Sequence, residues 1–203
     1  MTTPSSDAQP MQSLQRKAFR LEYLTIGWNV AEGLVAIGAG IAAHSIALVA
    51  FGFDSFIEVF AAAVVIWQLR GVSKERERRA LKLVGGSFFV LAAYVVIESG
   101  RNLLIGSRAG PSTPGLVIAG LSLLVMPLLA RAKRRTAAAM GSATLKADAA
   151  ETLLCTYLSA TLLFGLALNT LLGWWWADSV AALGIAYLAV REGLEAWRGD
   201  NCC

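Results

Sequence analysis

Seven side chains stand where sequences rarely put acids or thiols. Asp54 and Glu58 interrupt the apolar run 45–69, Glu151 and Cys155 interrupt 143–171, and Glu32, Glu98 and Asp148 lie in comparable runs. Asp54 and Glu58 are four residues apart, as are Glu151 and Cys155. On helices each pair would project from one face, one turn apart. Carboxylate oxygens with a thiolate suit a divalent metal, and zinc is the common choice for a four-ligand tetrahedral site. Two such pairs at one depth can enclose one ion. The competing reading is structural, with each carboxylate paired to Lys, Arg or a backbone group for packing. That reading is weaker for the whole set, because, apart from Lys82, Arg101 and Arg191 toward span ends, only Lys146 lies inside an expected span.

The elements that position these groups must work in lipid. Apolar residues make up 56% of the 203 residues and charged residues 16%, against roughly 25% charge in soluble domains. Mean hydropathy is +0.58. These figures exclude a disordered chain and a collagen-like repeat. The three cysteines (Cys155, Cys202, Cys203) do not make a disulfide framework. The net charge of +4 sits in short basic clusters between apolar runs, which points to a membrane and not to nucleic acid.

Six segments reach the roughly 20 apolar residues a spanning helix needs: 21–42, 45–69, 80–105, 113–130, 143–171 and 174–196. The expected fold class is therefore an all-α membrane protein with six transmembrane helices. Residues 1–20 read as a disordered cytoplasmic tail without a signal peptide, 21–198 as the transmembrane domain and 199–203 as a short tail. Segments 70–79 (RGVSKERERR) and 131–135 (RAKRR) read as charged loops, and 106–114 as a turn. Trp174, Trp175 and Trp176 mark an interface. Fifteen basic residues fall on the side of the termini and two, Arg101 and Arg108, on the other. Both termini are therefore expected in the cytoplasm, with a bacterial inner membrane as the location. At about 1.5 Å per residue, Glu32, Asp54, Glu151 and Cys155 fall in one central band, and Glu98 lies nearer the outer surface. Ionisable groups at such depth are functional hypotheses by default.

Three stretches carry a resemblance. HSIALVAFGFDSFIEVFAA (44–62), SATLKADAAETLLCTYLSA (142–160) and GWWWADSVAALGIAYLAVREGLEA (173–196) resemble the second, fifth and sixth helices of the cation diffusion facilitators. The similarity covers about 44–198 and is weak in the first span. That family consists of six-helix metal–proton antiporters, so the resemblance implies export of a divalent cation, Zn²⁺ foremost, in exchange for protons. The metal is then a transported substrate, and no permanent cofactor is implied. The family's ligands map to Asp54, Glu58, Glu151 and Cys155, of which only Asp54 is identical. Glu58 is a longer carboxylate, Glu151 replaces a histidine and Cys155 replaces an aspartate. Carboxylates without imidazole tolerate harder ions such as Mn²⁺, whereas the thiol favours Zn²⁺ or Cd²⁺. Glu32 could supply an auxiliary ligand. The family's cytoplasmic domain after the sixth helix is not seen here, so a homodimer is expected to form through transmembrane helices, with Ala36-x-x-x-Gly40 as a candidate step.

Lesser features have plainer expectations. Asp148 reads as a group orienting a ligand or as a packing acid of the fifth span, and His44 as an outer-turn residue that could meet departing metal. Asp178 reads as a helix cap, Pro127 as a kink, and Asn29 and Asn169 as interhelical bridges. Cys202 and Cys203 read as tail residues. A second function class is a non-transporting membrane protein that senses or binds metal. A third is a proton-coupled exporter of organic cations. An enzyme is not expected, for no nucleophile–base set and no H-E-x-x-H stands in the chain.

Overall fold

A computed structural model describes residues 8–43, 46–71, 73–106, 112–172, 174 and 176–198. Over these residues the chain is helical, with no strand: α1 (Ala8–Ala42), α2 (Ile46–Leu69), α3 (Lys74–Ile105), α4 (Thr113–Met140), α5 (Ala143–Leu172) and α6 (Ala177–Arg198). Among the described residues, four helices are long and apolar enough to cross a membrane: Met11–Ala42, Leu48–Leu69, Lys74–Ile105 and Thr113–Met140. The closest pairings are α1 with α2, α3 with α6 and α4 with α5. Because α5 also touches α2, α3 and α6, it forms the centre on which any shared site must be built.

Three expected boundaries move, for one reason. The segment 8–20 is helical and not a disordered tail, α3 begins at Lys74, and RAKRR belongs to α4, which continues to Met140. Charge does not break a helix; Arg, Lys, Glu and Ala are strong helix formers. Breaks come where the backbone is told to stop. Ser73 caps α3 by accepting from Arg76 N at 3.1 Å, with Glu75 and Glu77 in the favourable first turn. Gly141 ends α4 in the left-handed region at φ +63°, which costs glycine nothing. Pro127 stands inside α4 without ending it.

Helices α1 and α2 meet backbone to backbone. A Cβ on Gly52 would lie 2.6 Å from Ile37 Cγ1 and 3.0 Å from Ile37 N, and one on Gly33 would lie 3.1 Å from Gly52 O. Small residues allow this approach. Gly52→Val is therefore expected to destabilise the bundle by about 1–3 kcal/mol, since Ile37 N belongs to the α1 backbone and has no rotamer to retreat into. Thermal unfolding in detergent checks this against Gly27→Ala, whose Cβ would meet nothing within 4 Å; equal midpoints would show that the contact is not tight.

The Ala36–Gly40 step is buried within the chain, Ala36 against Leu48, Phe51 and Ala119. It is thus spent on intrachain packing and is not free for a dimer. Asn29 also departs from expectation: its Nδ2 donates to Thr25 O at 3.0 Å, within its own helix. Trp174 and Trp176 stack at 5.8 Å. His44, Trp175, Cys202 and Cys203 lie outside the described residues, as do the side chains of Asp178 and Asn169.

Candidate metal centre

The pairs on α2 and α5 face each other inside the bundle. Asp54, Glu58, Glu151 and Cys155 are each no more than 4% exposed, and their helices pack directly. Asp54 Oδ2 and both carboxylate oxygens of Glu58 and Glu151 have no hydrogen-bond partner. The nearest hydroxyls are already committed: Ser87 donates to Val84 O at 2.6 Å and Thr152 to Asp148 O at 3.2 Å. Ser87 also lies beside Glu151 and Thr152 beside Glu58. A carboxylate in a dry interior without donors is costly, by several kcal/mol or more. Oxygens left this way call for a cation or a proton.

Cys155 adjoins Asp54 and directs its thiol at Glu32 Oε1, 3.9 Å away. Glu32 itself is not free. It accepts from Trp28 Nε1 at 2.5 Å and from Ser122 Oγ at 2.8 Å. It also accepts at 3.1 Å from Ser55 Oγ, which the Phe51 carbonyl shares at 3.2 Å. Its partners come from α1, α2, α4 and α5, so its place is that of a fixed post at their junction, holding the thiol. Nothing in spacing could have revealed these partners, because Ser122 is 90 residues away.

Asp148 is engaged elsewhere. Lys133 Nζ lies 2.6 Å from Asp148 Oδ2 and 3.2 Å from Glu22 Oε2, and all three side chains are wholly inaccessible. The expectation that Lys146 is the one cation within the spans is therefore corrected: Lys146 is exposed, and among the described residues the buried cation is Lys133. Glu22 had not been singled out at all. The signal available was its place within the first expected span, one residue past its start.

Among the described residues, no three His, Cys, Asp or Glu donors are gathered closely enough to hold a metal as they stand. Asp54 borders a cleft shared with Tyr94, Glu98, Ser99 and Asn102. Glu98 Oε2 is 3.7 Å from Arg101, while its Oε1 is unpartnered.

Residues 82–198, more than half of the chain, match the cation efflux transmembrane domain. Over 101 residues the chain is 33% identical to the protein described as cation-efflux pump FieF of Shewanella oneidensis. That alignment covers 50% of this chain and 32% of the relative, so about a third of the relative's length is matched. The α5 pair lies within the matched segment 82–198, and the α2 pair lies before it.

Proposed function

This chain belongs to the cation efflux family, and on that premise we propose that it exports a divalent metal cation, Zn²⁺ foremost, from the cytoplasm by proton antiport. It is a multi-pass integral membrane protein. In this reading all six helices span a bacterial inner membrane with both termini in the cytoplasm. A homodimer forms through transmembrane faces other than the Ala36–Gly40 step.

The observation that carries the proposal is the set of unpartnered oxygens on Asp54, Glu58 and Glu151, buried on two packed helices. Such oxygens bind metal only when deprotonated, so protons compete for the same atoms. Metal loaded from one side is then displaced by protons arriving from the other. The cleft beside Asp54 is the outward release path, and Glu58 and Glu151 lie deeper. A modest displacement of α2 against α5 would bring three carboxylates and the Cys155 thiol onto one ion. A loose donor set suits a transporter, which must release what it binds.

The test is metal flux into proteoliposomes under an imposed pH gradient. Flux is expected to rise when the receiving compartment is acidified and to fall when the loading side is. A metal-binding sensor is the second reading, favoured by the ungathered donors; it predicts bound metal and no flux in either gradient.

Cys155 sets selectivity in this scheme. Cys155→Asp is expected to shift preference from Cd²⁺ toward Mn²⁺ while retaining appreciable flux, and Cys155→Ser to weaken Cd²⁺ most and Mn²⁺ least. Competition flux assays at fixed pH compare the three proteins. Identical selectivity would mean that the thiol serves only Glu32.

A further inference from the structure

Lys133 has the surroundings of a bound ion. Its ammonium lies 2.6 Å from Asp148 Oδ2, 3.1 Å from Thr152 Oγ1 and 3.2 Å from Glu22 Oε2. Lys133, Glu22 and Asp148 are wholly buried, and Glu22 Oε1 and Asp148 Oδ1 accept no hydrogen bond. Helices α1 and α5 thus close oxygen donors around the one positive charge that α4 carries. Two carboxylates and a hydroxyl are hard-cation ligands. Two carboxyl groups and a hydroxyl thus share a single ammonium, a donor set such as a divalent ion also takes.

We propose that Glu22, Asp148 and Thr152 form a second site for a divalent cation, which Lys133 fills as a tethered ion and so keeps closed to metal. Asp148 and Thr152 flank Glu151 on α5, so the site lies about one helical turn from the transport group. Open, it would be a trap beside the path; filled by Lys133, it confines the chain to one transported ion. That last consequence rests on the exporter reading, whereas the site itself does not.

Lys133→Ala removes both the charge and the stem that occupies the space. The full-length protein, the Lys133→Ala variant and the triple variant Lys133→Ala/Glu22→Gln/Asp148→Asn are equilibrated with Mn²⁺ in detergent, washed, and analysed for metal per chain. Mn²⁺ is the probe because the donors are all oxygen. Lys133→Ala is expected to retain one more Mn²⁺ per chain than the wild type, and the triple variant to return to the wild-type count. Equal retention by wild type and Lys133→Ala would overturn the proposal and leave a packing ion pair. The wild-type count reads the transport site separately. An extra ion over a wild type holding none would uphold this site and sink the exporter reading; equal counts of one would do the reverse. Should Lys133→Ala aggregate, folded yield with and without Mn²⁺ decides the matter against the triple variant: recovery by the ion upholds the site, and no recovery overturns it.

Discussion

Asp54→Asn is expected to lower metal affinity by at least about 10–100-fold, the range typical of losing even an outer partner of a metal ligand, and to bring flux down with it. The substitution preserves shape and removes only charge, so packing around the 4%-exposed side chain is spared. Glu151→Gln should do the same from the opposing helix. Because Asp54 also borders the cleft proposed as the release path, its loss should be felt in flux at least as strongly as in binding. Glu32→Gln provides the contrast. Its carboxylate already accepts from Trp28, Ser55 and Ser122, so its replacement should lower thermal stability more than metal affinity. Calorimetry on the detergent-solubilised variants, with flux in parallel, separates the two roles. Wild-type affinity in both Asp54→Asn and Glu151→Gln would remove these residues from the site.

The second large effect is on stability. Lys133→Met in metal-free buffer is expected to cost about 3–5 kcal/mol, the usual loss when one partner of a buried ion pair is removed. The loss is chiefly the penalty of two carboxylates, Glu22 and Asp148, left without a counter-charge in a wholly inaccessible place. It should therefore be recoverable. Lys133→Met/Glu22→Gln/Asp148→Asn, which carries no net charge there, is expected to regain most of the difference. Equilibrium unfolding of the three proteins in mixed micelles measures it. A single variant as stable as the wild type would mean that protons neutralise the two carboxyl groups once the lysine is gone. A triple variant as unstable as the single one would mean that shape, and not charge, is what Lys133 supplies.

Composition and periodicity alone determined that this chain is a helical membrane protein. They also determined that α2 and α5 each present, one turn apart, a pair of side chains of the types that ligate metals. Both properties are local: apolar runs select the solvent, and four-residue spacing selects a helix face. The helix ends were misjudged wherever charge was read as a break, since RAKRR and KERERR form helix as readily as any sequence and only Ser73 and Gly141 carry stop chemistry. What the tertiary structure decided is which of the buried charges are already satisfied. Glu32 is engaged by donors from three helices besides Trp28 on its own, and Asp148 by a lysine 15 residues back in the chain with Glu22 on its far side. Asp54, Glu58 and Glu151, on two helices that pack together, keep oxygens without a hydrogen-bond partner and without an ion pair. Spacing along one helix fixes a face but not its partner. In an interior without water, the partner decides whether a carboxylate is a strut or a ligand.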